Sequence, residues 1–112
     1  MDESYADIFA IMVANQHLFD VRQWEWSLGK GFGENEDAVR DLRHPAAYGQ
    51  PEHMDNYRYL FGERPSADND WGWVHHNSGI HNKAAYSLLT AENSQGKFIL
   101  SQKCWLYFSI RP

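Results

Sequence analysis

Cysteine is nearly absent: Cys104 is the only one among 112 residues. A disulfide framework and a cysteine-based zinc site are both excluded, and Cys104 reads as a small hydrophobe in an apolar segment. No apolar run approaches the length of about eighteen residues that a membrane-spanning helix needs. No basic stretch leads into an apolar one at the N-terminus, so no signal peptide is visible. Positive charge is also scarce. Ten Lys and Arg stand against fifteen Asp and Glu, giving a net charge of -5 and a pI near 5.6. The densest basic stretch, Arg40 to Arg43, is interrupted by Asp41. A nucleic-acid binder shows a basic patch, so neither nucleic acid nor a membrane is an expected partner. The glycines Gly29, Gly31 and Gly33 recur at every second position with no Lys-Ser or Lys-Thr after them. That is a turn, not a phosphate cradle. No internal repeat or low-complexity tract occurs.

What remains is an ordinary globular composition, 43% hydrophobic and 22% charged, of a length that suits one domain or a piece of one. Aromatic residues are plentiful at 15%, so the core must be built around large rings. Residues 2 to about 17 read as a helix, with Tyr5, Ile8, Phe9 and Met12 on one side at the helical period. Ile11, Val13 and three alanines fill most of the remainder, and a helix that is apolar all round belongs in an interior. Trp24, Trp26 and Leu28 alternate with polar residues, as in a short strand with one buried side. Residues 36 to 43 suit a short helix ending before Pro45.

From His44 to Asp70, prolines and glycines punctuate a long loop, and a loop of this length in a compact domain has a functional reason. Ser78 looks like a helix N-cap. Ile80, Ala84 and Leu88, with Tyr86 and Leu89, continue that helix to about residue 90. Residues 93–96 form a turn. Residues 99–110 form a final apolar segment, read as helix, although its aromatics also suit a strand.

Three places carry chemistry. Glu3 and Asp7 lie one turn apart on a helix with little polar surface, where a carboxylate must be neutralised, paired or bound to a cation. Glu3 suits a metal ligand, and Asp7 suits a group that orients a metal-bound histidine. Acids are equally favoured in a first helical turn by the macrodipole alone. The run Asp70-Trp-Gly-Trp-Val-His75-His76-Asn-Ser-Gly-Ile-His81 places three histidines within seven residues. There Asp70 can pair with a histidine and fix its tautomer. Arg40 by itself is a surface cation. It reaches a substrate carbonyl or carboxylate only where the fold turns it into a cleft.

These residues stand in a recognisable order. Val74-His75-His76-Asn77-Ser78-Gly79-Ile80-His81-Asn82-Lys83-Ala84-Ala85-Tyr86 resembles the Val-His-x-Asn-Ser-Gly-Ile-x-Asn-Lys-Ala-x-Tyr signature of the thermolysin-like zinc metallopeptidases. Asp2 to Phe9 is similar to that family's Asn-Glu-x-x-x-Asp-Ile-Phe helix. Arg40 with Pro45-Ala46-Ala47-Tyr48-Gly49-Gln50-Pro51 is similar to its Arg-x4-Pro-x-x-Tyr-Gly-x-Pro loop. The resemblance spans residue 2 to about 90. It implies a mainly α fold: part of the family's C-terminal helical domain across residues 1–112. The parts are a zinc-ligand helix at about 2–17, an arginine-containing loop at 36–70, a catalytic-histidine loop and helix at 70–90, and a tail helix at 97–112.

It also implies roles. Glu3 would be a zinc ligand and Asp7 would orient a zinc-bound histidine. Arg40 would grip a peptide carbonyl, His75 would donate to the oxyanion, and Asp70 would hold His75. Glu3 and His75 would then face each other from opposite walls of one groove. The activity implied is hydrolysis of peptide bonds in a peptide or protein substrate by a zinc-activated water, and family members of this kind are secreted.

The match has gaps. The family's His-Glu-x-x-His motif, which supplies two ligands and the catalytic glutamate, is absent, since none of the six histidines is followed by Glu. A catalytic zinc needs three protein ligands, so the zinc site is incomplete and the chain alone is expected to be inactive. Its missing partner would be the N-terminal catalytic half. Trp71 and Trp73 stand where the family has Asn and Gly. Ala14, Ser27 and Lys30 replace acids of a calcium site, so calcium is not expected. The expectation is a fragment of a zinc metalloendopeptidase. The alternative is a non-catalytic peptide- or peptidase-binding protein derived from the same fold.

Overall fold

The computed structural model describes residues 2–100. Two helices form its frame: α1 (Asp2–Ala14) and α2 (Asp70–Thr90). Between them lies a two-stranded antiparallel ladder, β1 (Ser27–Leu28) with β2 (Arg40–Asp41), in the register Ser27 to Asp41 and Leu28 to Arg40. Short 3-10 turns occupy much of the remainder. Cys104 and most of the expected tail helix lie outside the described residues.

Helix α1 starts with Asp2 and Glu3 in its first turn, where carboxylates favour the positive end of the helix dipole. It is shorter than the expected 2–17, because residues 15–17 form a turn. The sequence, apolar all round this helix, leaves open which side faces inward. Tyr5, Phe9 and Val13 face outward, while Ser4, Asp7 and Ile11 are buried. Polar partners from β2 and α2 account for this orientation: they satisfy Ser4 and Asp7 inside the fold, and burying a polar group without such partners costs several kcal/mol (roughly 2–7).

The core gathers Ile11, Val21, Trp24, Trp26, Leu42 and Leu89, with Tyr86 and Phe98 packed on it. Both indole N–H groups donate to backbone carbonyls, Trp24 to Leu18 and Trp26 to Val21, so burying them leaves no orphan donor. Trp26 meets Tyr86 edge-on at 5.0 Å between ring centres. The alternation of Trp24 and Trp26 thus gives one buried side, although only Ser27 and Leu28 pair as strand.

The expected helix over residues 36–43 does not form. Asn35 and Glu36 take left-handed backbone angles, and the chain then runs extended into β2. Gly33 allows this path: a Cβ there would lie 2.2 Å from the Ala38 carbonyl oxygen. Leu28 and Trp26 then accept hydrogen bonds from Val39 and Leu42, so cross-strand pairing replaces helical bonding.

Helix α2 begins earlier than expected. Asn69 caps it, accepting from the Gly72 N–H. Ser78 is a buried interior residue, and its hydroxyl donates to the His75 carbonyl. The opening residues Asp70, Trp71, Gly72 and Trp73 all have positive φ, between 52° and 89°, so the right-handed run starts only after a left-handed turn. For Trp71 and Trp73 that conformation costs roughly 1–2 kcal/mol per residue. The buried face of α2 carries Asn77, Ser78, Gly79, Ile80, Asn82 and Leu89, whereas Leu88 is exposed. Gly79 packs closely on the loop before it, since a Cβ there would lie 2.6 Å from Gln50 Cβ and 2.7 Å from the Pro51 oxygen. After α2 the chain turns back at residues 93–96, where Gly96 N–H donates to the Asn93 carbonyl, and Glu92 bridges to Phe98.

Candidate active site

The N-terminal half of α1, β2 and the first two-thirds of α2 converge on one set of polar side chains. Asp7 lies at its buried centre, only 7% exposed in its side chain. One carboxylate oxygen accepts from Arg40 Nη2 at 2.8 Å and the other from Asn82 Nδ2 at 2.9 Å. Asn82 Oδ1 accepts in turn from the Ser4 hydroxyl at 2.7 Å. Three elements are thus tied through one carboxylate, and the paired charge and hydrogen bonds offset its loss of water. Arg40 is 28% exposed in its side chain. Its Nε is buried without a hydrogen-bond partner among the described residues.

The second group is a line of three side chains. Asp70 Oδ1 lies 2.5 Å from His75 Nδ1, and Asp70 Oδ2 accepts the backbone N–H of both His75 and His76. Asp70 therefore fills donors that a helix start leaves open while it fixes the imidazole. On the far side of the ring, His75 Nε2 lies 3.1 Å from Glu3 Oε2. A carboxylate within reach of each nitrogen favours the charged imidazolium, the form in which both nitrogens donate. The hydrogen bond from Asp70 raises the His75 pKa above the usual histidine value against the opposing effect of burial, and the charges of Asp70 and Glu3 add to it. Burial pushes Asp70 upward, but the His75 ring and the two backbone amides hold it below the ordinary carboxylate range.

Glu3, Asp7, Arg40, Asp70 and His75 are therefore brought to one locality. Glu3 and His75 do not stand on opposite walls of a groove; they touch. Of the three clustered histidines, His75 reaches Glu3, His76 sits against Trp73, and His81 is exposed. Sequence reasoning missed Ser4, Asn82 and Asn77. Asn77 holds the backbone N–H and carbonyl of Arg58 with its side-chain amide, at 2.9 Å each. Asn77 and Asn82 lie within the signature run, and asparagine is a weak helix former. Two of them buried mid-helix were the available signal.

Among the described residues, no group of three or more His, Cys, Asp or Glu side chains is placed to hold a metal ion. A catalytic zinc requires three protein ligands, so the residues present do not by themselves fit one. No described helix is long and apolar enough to cross a membrane.

A family profile described as thermolysin metallopeptidase, alpha-helical domain, matches residues 1–105. Similar curated proteins include a zinc metalloproteinase of Listeria monocytogenes, 36% identical over 93 residues, covering 80% of this chain and 16% of that protein. A bacillolysin of Brevibacillus brevis is 41% identical over 91 residues, covering 79% and 14%. An extracellular elastase of Staphylococcus epidermidis is 35% identical over 95 residues, covering 85% and 16%. The chain thus spans about one-sixth of the length of these relatives. No solved structure matches it.

Proposed function

The chain belongs to the thermolysin metallopeptidase family, matching its alpha-helical domain, and from that premise we propose that it forms one wall of a peptide-hydrolysing site. The observation that carries the proposal is the Asp70–His75–Glu3 line, in which a histidine anchored at Nδ1 presents Nε2–H beside an exposed carboxylate. Asp70 positions the ring. When Glu3 is engaged elsewhere, Nε2–H is free to donate to negative charge building on a substrate carbonyl oxygen, the fixed-donor arrangement that stabilises an oxyanion. Arg40, partly exposed and held by Asp7, is placed to donate to a neighbouring peptide carbonyl.

Glu3 is proposed as one ligand of a zinc whose other ligands this sequence lacks. Asp7, already bound to Arg40 and Asn82, is proposed to receive one further bond from a zinc-bound histidine. The missing ligands and the catalytic base would come from a segment carrying His-Glu-x-x-His. The outward stripe of Tyr5, Phe9 and Val13 on α1 is its proposed docking face, because an apolar stripe beside the site needs a cover. The substrate is a peptide or protein, and the working compartment, by analogy with the extracellular relative, is outside the cell. Alone, the chain is proposed to be inactive. The same stripe supports the second reading, a non-catalytic binder of peptides or of a peptidase.

The test places residues 1–112 in the corresponding region of a full-length family member. Zinc-dependent cleavage of casein is expected, and His75→Ala should reduce turnover by roughly 10²–10³-fold, as loss of an oxyanion donor does. A hybrid that cleaves equally well with and without His75 would remove the role given to it. A folded hybrid that binds peptide but never cleaves would favour the binder.

A further inference from the structure

The left-handed turn that opens α2 is improbable for its sequence. Asp70 and Gly72 accept such a backbone, but Trp71 at φ 52° and Trp73 at φ 61° have no local reason to. The turn nevertheless places the Asp70 carboxylate where it meets the His75 ring and two amides. The Asp70 contacts, the Asn69 cap on Gly72 and the Trp71 N–H bond to the Ser66 carbonyl hold its first three residues; none of them holds Trp73.

The neighbouring segment supplies a hold on Trp73. The Arg58 guanidinium carbon lies 3.4 Å from the centre of the Trp73 ring, a close cation–π stack. Arg58 is not free to drift, because the Asn77 side chain grips both its N–H and its carbonyl. Asn77 lies on α2 itself, one turn past Trp73. A closed circuit therefore runs from Trp73 to Arg58 to Asn77 and back along the helix. Next to it, a Cβ on Gly72 would be 3.5 Å from Leu60 Cδ1, so the same segment also lines the outer side of the turn. On the inner side, the Trp73 ring meets His76 edge-on at 6.3 Å.

We propose that Arg58 and Trp73 form a clamp that holds the left-handed turn, and that both are positioning residues for the Asp70–His75 pair. The clamp gains catalytic meaning from the peptidase reading above, but its test does not depend on activity. Neither residue touches His75 in the line of three side chains; each acts through the backbone of the turn.

The experiment measures amide hydrogen exchange by mass spectrometry with residue-level fragmentation on the full chain, kept below the concentration at which it associates, at His75 and His76, whose N–H groups donate to Asp70. Leu89, buried in the core, serves as the control for global stability. In Arg58→Ala, exchange at His75 and His76 should quicken by about two- to five-fold, the order that a cation–π contact of an exposed arginine is worth, while Leu89 changes little. Arg58→Lys should fall between, since an ammonium stacks less well than a planar guanidinium. The decisive variant is Trp73→Gly. Glycine takes the positive φ without a clamp, so protection should persist, and adding Arg58→Ala to it should change nothing further. A merely structural contact would not be rescued by deleting a second side chain. Unchanged exchange in Arg58→Ala, or an equal Arg58→Ala effect in the glycine background, would overturn the clamp. Failure of the peptidase reading would appear separately, as cleavage indifferent to His75→Ala.

Discussion

Single residues set the strain and the charge of this molecule, and the two tryptophans before His75 show it most directly. Trp71 is exposed, with φ 52°, and its recorded hydrogen bond is made by the backbone, to the Ser66 carbonyl. Trp71→Gly should therefore stabilise the chain. The strain relieved is roughly 1–2 kcal/mol, against roughly 0.5–1 kcal/mol of extra backbone entropy in the unfolded glycine chain. The expected outcome is a rise of a few degrees in the thermal midpoint followed by circular dichroism, and a fall would show that the indole makes contacts worth more than the strain. Trp73 is the opposite case, since Arg58 stacks on its ring. Which polar residues come together was legible in the order of residues along the chain. Glu3, Asp7, Arg40, Asp70 and His75 stand in motifs, and the fold collects all five. Their partners were not legible, because a hydrogen bond between Ser4 and Asn82, 78 residues apart, leaves no local pattern.

At the scale of elements, the ladder of β1 and β2 decides where Arg40 points, and its neighbour Asp41 helps hold it. Asp41 is buried, which raises its pKa, but the Arg43 side-chain and backbone bonds outweigh burial and leave it below the ordinary carboxylate value. The unfolded carboxyl, near the usual value of about 3.9, binds a proton more readily than the folded one. Asp41 thus contributes stability that is fully present above about pH 4 and is lost as pH falls through the lower folded value. Urea unfolding of the chain and of Asp41→Asn should differ most near neutral pH and converge as the pH falls below the lowered folded value. Curves that stay parallel throughout would show that Asp41 keeps its charge preference in the unfolded chain. The expectation of helix over residues 36–43 failed at this scale. Its residues have reasonable helical character, but the close approach of Gly33 to Ala38 and the pairing with Leu28 are tertiary choices that propensity does not register.

For the whole molecule, the telling feature is which apolar side chains stay in water. Tyr5, Phe9 and Val13 on α1 are exposed, as are Phe61 and Trp71 near the site. A domain of this size rarely leaves such surface uncovered without a partner for it. The isolated chain should bind a hydrophobic dye and self-associate at micromolar concentration. Replacing the stripe with Phe9→Glu and Val13→Lys should abolish association without lowering the thermal midpoint. A monodisperse parent chain in sedimentation, with no dye binding, would contradict the docking face.

The sequence by itself determined the family, the chemical identities gathered at the site, the buried side of Trp24 and Trp26, and the turn at residues 93–96. Each of these is written locally, in a motif, a two-residue alternation or a pair of turn formers. The tertiary structure alone decided which way α1 faces, that residues 36–43 run extended, that Ser78 is a helix interior residue, and that Glu3 meets His75 directly. Those outcomes depend on partners far away in the chain, and a buried polar group takes its place from the partner that satisfies it rather than from its neighbours in sequence.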